Sequence, residues 1–460
     1  MLFNLFMCYN LFGDRMKHLS IIVAKILIFI GKLLGRGSVT PGQVALKLDK
    51  NILSKLKMPK TVISVTGSSG KGSTCNFIVD IARKQGKSVV FNDKGSNLIT
   101  GILTTLLGAC DLNGELKQDI LVTEIDERYT KFLFKYLKPN YVVITNITRD
   151  QPPRHGHFEL VYEEIKKALT KDMHLVLNAD DPYTQKFILD SKNKYTLFGI
   201  GSNKYTYVDN KFENLNITHC PKCNEKLLYN FYHCETLGDY YCPKCDFKRR
   251  KPDMEVTKLD YEKSFVIVNG EYKFNIPFNT LFEVYNALAA FTVCSLIKLD
   301  LDNACNIISK MPANLKIFNK YSINDRIVYV LNNKAENATT FNQSLLFVKR
   351  NKELKTLIIG WREISRRYNF DDLSWLYDIE FELLVNNEID KIVCIGPQAY
   401  DIATRLKYAN IDEDKIVVIP NVDEAARFIK TKTKCNVYGI LNFDMVEPFN
   451  NNMKRENNGN

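Results

Sequence analysis

The run Ser64-Val65-Thr66-Gly67-Ser68-Ser69-Gly70-Lys71-Gly72-Ser73-Thr74 separates two patterns. Before it, Thr61 to Val65 reads as a buried strand; after it, residues 73–84 place Phe77, Ile78, Ile81 and Ala82 on one side of a helix. Strand, glycine turn and helix in that order predict a phosphate-binding loop, because residues without a Cβ let backbone N–H groups converge at the positive end of the helix. The spacing G-x-x-G-K-G-S is shorter by two residues than the usual G-x-x-x-x-G-K-[ST] loop. It keeps Lys71 for β/γ oxygens and Ser73 or Thr74 for magnesium. The expected nucleotide contacts are Gly67, Ser69, Gly70, Lys71, Gly72, Ser73 and Thr74.

From Lys60 onward, apolar runs (TVISV, SVVFN, DILVTEI, YVVITNI, HLVLNAD) alternate with helical patterns such as CNFIVDIARKQGK and FELVYEEIKKALTKD. That alternation predicts an α/β fold with a mostly parallel, doubly wound sheet. A chain of 460 residues exceeds one ordinary core. The pattern divides it into an N-terminal helix and approach segment (1–59), an ATP-binding central domain (60–313), a smaller Rossmann-like domain (314–449) and a disordered tail (450–460). The smaller domain rests on IVYVLN, TLIIG, KIVCIG, KIVVIP and NVYGIL, entered through Met311-Pro312-Ala313-Asn314. Within residues 19–35, LSIIVAKILIFIGKLLG is apolar but interrupted by Lys25 and Lys32. It is also shorter than the ~20 residues that span a bilayer. No small-residue cleavage site follows it, so it does not read as a signal peptide. The expected placement is a helix packed on the body, with contact at the bilayer interface as the second.

Carboxylates follow the next strands. In DILVTEIDER, alternation sends Glu124 and Asp126 to one side and Glu127 to the other, at the strand end where α/β sheets bind ligands. NITRDQPPRHG at 146–156 and NADDP at 178–182 form two further clusters at the same edge.

Cys220-Pro-Lys-Cys223 and Cys242-Pro-Lys-Cys245 are two knuckles separated by eighteen residues, within an insertion at about 215–252. Such a pattern offers four thiolates to one zinc ion and leaves no open position, so the metal is expected to be structural. His219 and His233 nearby read as surface residues. The basic run Lys248-Arg249-Arg250-Lys251 reads as a solvated edge, with nucleic acid or a phosphate-rich lipid as the alternative contacts. The other eight cysteines lack framework spacing, which in a chain of this size indicates a reducing, cytoplasmic compartment. A net charge of +11 favours an anionic partner without choosing among nucleotides, polyanionic substrates, membrane surfaces and nucleic acids.

TGSSGKGST resembles the shortened phosphate loop of Mur ligases, ATP-dependent enzymes that join amino acids to peptidoglycan precursors. NADDP and VYNALAA resemble later motifs of that family. TEIDER, NITRDQPPRHG, the four-cysteine insertion and DLSWLYDIEFE together look like its MurT-like branch, the Mur-ligase-type subunit of lipid II isoglutaminyl synthases. The resemblance runs from TPGQVAL to the C-terminal region and keeps Lys334 in LNNKAENATTF.

It implies that the γ-phosphoryl group of ATP passes to the α-carboxylate of D-glutamate in the lipid II stem peptide, at the membrane surface. Ammonia from a partner class I glutaminase (GatD-like), bound as a heterodimer, then attacks the acyl phosphate to give D-isoglutamine. The chain shows no Cys/His nucleophile constellation of its own, which fits ammonia made elsewhere. By the same resemblance Lys71 and magnesium neutralise the transferring phosphoryl group, Glu124 and Ser73 hold the magnesium, and Asn286 contacts adenine. Asp378, with Asp372 as second choice, lends a carboxylate to the partner's Cys–His pair. The rival readings are a stand-alone Mur-fold ligase acting on a small acceptor such as a folate, a zinc-ribbon P-loop protein that binds nucleic acid, and a non-catalytic scaffold. Nucleic acid is not the expected partner.

Overall fold

Alternate residues of the strand before the glycine loop enter two different cores. The computed structural model describes residues 2–35, 39–93, 96–149, 157–212, 218–277, 280–312, 318–323, 325–333, 337–361, 373–385 and 388–455. In it β1 (Thr61–Thr66) sends Ile63 and Val65 to one side and Val62 to the other. Its parallel companions are β2 (Val89–Phe91), β3 (Ile120–Glu124), β4 (Tyr141–Ile144), β5 (His174–Asn178) and β6 (Tyr195–Ile200). A hairpin of β7 (Leu228–Cys234) and β8 (Leu237–Tyr241) stands apart from the sheet. Then β9 (Met254–Asp260) joins β6 in parallel, and β10 (Phe265–Val268) and β11 (Tyr272–Asn275) extend the edge antiparallel. The sheet has nine strands in the order β11-β10-β9-β6-β5-β4-β1-β3-β2. Its doubly wound parallel part is as expected; the antiparallel edge was not foreseen.

The helices up to the end of this sheet are α1 (Leu2–Leu33), α2 (Thr40–Leu48), α3 (Lys71–Lys84), α4 (Ile99–Ala109), α5 (Thr130–Leu137), α6 (Phe158–Lys166), α7 (Pro182–Asp190) and α8 (Leu281–Leu296). Ile78 of α3 and Phe291 of α8 cover one face of the sheet, while Leu106 of α4, Leu133 of α5 and Tyr162 of α6 cover the other. Local chemistry fixes the ends: Asp181 accepts from the N–H groups of Tyr183 and Thr184 and precedes Pro182, which starts α7. The apolar run at 19–35 is the C-terminal part of α1. It packs on α2 and α4 through Ser20, Ile21 and Ala24, all at zero exposure. Among the described residues no helix is long and apolar enough to cross a membrane.

After α9 (Leu301–Ser309) a second, six-stranded sheet forms. Its strands are β12 (Phe318–Ile323), β13 (Arg326–Asn333), β14 (Lys355–Gly360), β15 (Ile389–Ile395), β16 (Ile416–Val418) and β17 (Asn436–Asn442). The order is β12-β13-β17-β14-β15-β16, parallel except for β12. α10 (Ala338–Arg350), α11 (Ala399–Tyr408), α12 (Val422–Lys432) and α13 (Phe443–Arg455) accompany it. The tail read as disordered from residue 450 is corrected in part. α13 continues to Arg455, because Met453 is buried beside Phe449 in the core of this sheet. Residues 456–460 lie outside the described residues.

Candidate functional site

The loop between β1 and α3 depends on two glycines in left-handed backbone. Gly67 has φ +123° and Gly70 has φ +81°, where Gly70 caps α3. A Cβ at Gly67 would overlap Thr145 Oγ1, and one at Gly70 would overlap Asn286 Oδ1. The residues after β4 hold the loop from behind. Ser69 N–H donates to Asn146 Oδ1 at 3.0 Å, Thr145 Oγ1 donates to Ser69 O at 2.6 Å, and Ser68 Oγ donates to Thr148 O at 2.9 Å. The first residues of NITRDQPPRHG therefore shape the loop; Asp150 to Gly156 lie outside the described residues. G70A combines strain with a collision, so nucleotide affinity is expected to fall about tenfold or more in titration calorimetry.

Lys71 begins α3 with its side chain folded back over the loop. Its Nζ donates to Glu127 Oε1 at 2.6 Å, to Ser68 O at 3.4 Å and to Gly67 O. Both members of the ion pair are buried, with side chains 5% and 3% exposed. The expectation that Glu127 points away from its neighbours is thus corrected. Period-two alternation ends with β3 at Glu124, and a short 3-10 turn at Glu127–Tyr129 swings Glu127 onto Lys71. Asp126 caps that turn and pairs with Arg128 at 3.0 Å, so it is not a free carboxylate for a ligand. Glu124 remains at the loop: its Oε2 lies 3.1 Å from where a Cβ on Gly72 would sit. Asn92 fixes its backbone, accepting from Glu124 N–H and donating to Glu124 O, both at 2.9 Å.

A cavity of about 240 Å³ opens in front of this loop. Ser68 to Ser73, Glu124 and Asn286 form one wall; Asn332, Asn333, Thr340 and Gln343, from the second sheet and α10, form the facing one. Asn332, Asn333 and Thr340 lie within LNNKAENATTF, the stretch whose resemblance rests on Lys334, but sequence reasoning named none of the four as a contact. Of the expected nucleotide contacts, Ser69, Gly70, Lys71, Gly72 and Ser73 line the cavity, whereas Gly67 and Thr74 do not. Thr74 is fully buried and its Oγ1 donates to Asn286 Oδ1 at 3.4 Å. Asn286, which the bare sequence would leave on a helix surface, is buried against the loop. Hard oxygen donors (Ser73, Glu124), a cation (Lys71) and a glycine cradle with no side chain in the way suit a polyphosphate with magnesium.

The NADDP cluster faces inward and holds the fold together. Asp180 is fully buried and accepts from Arg249 Nε at 2.6 Å, Ile200 N–H at 2.7 Å and Tyr285 Oη at 2.7 Å. Asp181 accepts from Ile147 N–H at 2.9 Å. Burial pushes its carboxyl up to about 6, against the backbone N–H groups of Ile147, Tyr183 and Thr184 that hold it down. Arg249 is corrected from solvated edge to interior staple, its side chain 9% exposed. R249A leaves Asp180 buried without its cation and is expected to cost about 3–5 kcal/mol, read as a lower denaturant midpoint.

The four knuckle cysteines converge: their sulfurs all lie within 4.8 Å of one another. Cys220 and Cys245 are 3.7 Å apart and Cys223 and Cys242 3.4 Å apart. A tetrahedral ion at ~2.3 Å from each sulfur sets an edge of about 3.8 Å, so the cluster could coordinate a structural zinc ion. His233 is corrected: it is buried on the sheet, with Nε2 2.8 Å from Ile200 O, while His219 is exposed.

The hairpin of this insertion reaches the second sheet's helices. Glu235 at its tip accepts from Asn342 Nδ2 at 2.7 Å and Thr339 Oγ1 at 2.9 Å. Burial raises its carboxyl to about 7, opposed by those two donors. Asn342 also donates to Asp378 O at 3.2 Å, and Asp378 Oδ2 accepts from Arg149 at 2.7 Å. Asp378 is thus 19% exposed and oriented within this chain; Asp372 and Lys334 lie outside the described residues.

Known proteins are similar to this chain in sequence and in fold. The family model for the Mur ligase middle domain matches residues 65–237, and that for the MurT ligase C-terminal region matches residues 335–445. The chain is 28% identical to the lipid II isoglutaminyl synthase (glutamine-hydrolyzing) subunit MurT of Staphylococcus aureus strain COL, covering 87% of this chain and 89% of that protein. To the subunit of the same name from Streptococcus pneumoniae it is 29% identical, over 92% and 93%. Its fold superposes on a pseudomurein peptide ligase type C from Methanothermus fervidus with TM-score 0.69, at 21% identity over 88% of this chain and 81% of that one. The chain belongs to the Mur ligase family, in its MurT branch.

Proposed function

We propose that this chain is the ATP-dependent ligase subunit of a lipid II isoglutaminyl synthase. It activates the α-carboxylate of D-glutamate in the lipid II stem peptide by phosphoryl transfer, and ammonia displaces the phosphate to leave D-isoglutamine. The observation that carries this reading is the match to MurT subunits over about nine-tenths of both chains, with the P-loop cavity walled by both matched regions.

A carboxylate oxygen is a poor leaving group until it bears a phosphoryl group. The loop N–H groups and Lys71 would grip the β and γ phosphates, and Lys71 would offset charge spreading over the transferring group. Magnesium, held by Ser73 and Glu124, would supply further charge neutralisation on the phosphates. Asn286, packed on Gly70, would contact the adenine. The four cysteines would hold zinc and so keep the hairpin tip against Asn342.

Ammonia would come from a class I glutaminase bound as a heterodimer, with its docking element at the Ser374–Asp378 turn. The Arg149 pairing competes with a role for Asp378 outside this chain. The burial of Arg249 weakens the nucleic-acid alternative, since the basic run loses a central cation to the interior. The test is reconstitution of the chain with a class I glutaminase, lipid II, ATP and glutamine. ADP release that requires both glutamine and lipid II, with an amidated product by mass spectrometry, is the expected result. ADP release driven by a free amino acid and a soluble acceptor, without the glutaminase, would overturn it.

A further inference from the structure

Between Leu19 and Leu33, helix α1 buries one apolar side and leaves another exposed. Opposite the packed face, Leu19, Ile22, Ile26, Phe29, Ile30 and Leu33 are between 43% and 72% exposed. Their helical spacing aligns them in one stripe, about 21 Å long at ~1.5 Å per residue. Single exposed apolar residues are ordinary on a protein surface, whereas a continuous stripe of six marks a contact.

The charge around the stripe is one-sided. Residues 1–60 hold ten Lys and Arg against two Asp, a net +8 of the chain's +11. From Arg15 to Leu34 there are four cations and no acid. Lys32 stands exposed beside Leu33, and Lys47, Lys50, Lys57 and Lys60 are exposed on the segment that follows. A second copy docking through the same stripe would bring this positive region against itself. An anionic lipid surface complements both features at once: acyl chains accept the stripe and headgroups accept the lysines.

We propose that α1 lies in the plane of an anionic lipid surface, with the stripe from Leu19 to Leu33 inserted at the boundary of headgroups and acyl chains. The placement rests on the helix alone and is independent of the ligase reading. It recasts the segment as packed on the body by one face and free for lipid by the other.

The test is sedimentation of the full-length protein with vesicles of equimolar phosphatidylglycerol and phosphatidylcholine, and with phosphatidylcholine alone, without ATP or substrate. Binding to the anionic vesicles is expected to be at least about tenfold tighter and to weaken with added salt. F29E/L33E, at two of the most exposed positions, is expected to lower it at least about tenfold with an unchanged melting temperature. Wild-type protein that stays in solution with anionic vesicles overturns the proposal, as does F29E/L33E bound as well as wild type. A dimer that F29E/L33E dissociates, without vesicle binding by the wild type, would assign the stripe to a second copy instead. None of these readouts depends on whether the chain amidates lipid II.

Discussion

K71A abolishes amide formation, with turnover at least about a thousandfold below wild type, because the cation that meets the transferring phosphoryl group is gone. The same substitution leaves Glu127 buried without its ion-pair partner, which costs about 3–5 kcal/mol of stability. Lost activity in K71A alone is therefore open to a trivial explanation by unfolding. K71A/E127Q removes both charges, so its melting temperature is expected to return toward that of wild type while turnover stays lost. Measuring glutamine-dependent ADP release beside thermal unfolding for both variants separates catalysis from folding. A stable K71A/E127Q protein that amidates lipid II at the wild-type rate would end the case for this loop as the phosphoryl-transfer site.

Removal of the metal is the second large effect. Structural zinc sites contribute on the order of 10 kcal/mol in isolated finger peptides, and the apolar core around these cysteines is small, with Leu227, Tyr240 and Phe247 its buried members. Elemental analysis of the purified protein is expected to find one zinc per chain. C223S/C242S is expected to lose it and to expose the backbone of residues 218–250 to rapid hydrogen exchange. The consequence extends beyond the ribbon. Glu235 is held to Thr339 and Asn342 by the hairpin that the metal staples, and Thr340 next to them lines the nucleotide cavity. Turnover is expected to fall by about tenfold or more, although no cysteine touches the cavity. A metal-free protein whose hairpin stays protected from exchange would show that the thiols pack without an ion.

What the sequence made legible follows the range of the interaction concerned. The β1–loop–α3 unit is local: apolar alternation, two glycines with positive φ and a helical stripe lie within 24 residues, and each demands the others. The four cysteines are equally plain, since ligand spacing is itself geometry. Glu127 was misjudged because alternation holds only while the strand lasts, and β3 stops three residues earlier. Arg249 reads as a surface cation in the sequence because its partner Asp180 lies 69 residues away on a different strand edge. The facing wall of Asn332, Thr340 and Gln343 has no periodic signature, and LNNKAENATTF, which holds the first two, pointed to Lys334 alone: polar residues at the end of a strand and the start of a helix look alike whether they face solvent or a nucleotide. α1 was half legible. Its apolar periodicity showed a helix, but which side would meet α2 and α4 depended on a packing geometry that only the fold supplies.

The contact between Lys71 and Glu127 bears on selectivity. Because Glu127 already pairs with the Lys71 ammonium, an anion reaching for that ammonium competes with a buried carboxylate. Orthophosphate, with one phosphorus centre and few amide contacts, is poorly equipped for that exchange. A triphosphate, with more oxygens to offer the loop N–H groups, would be better equipped to displace Glu127 from the ammonium.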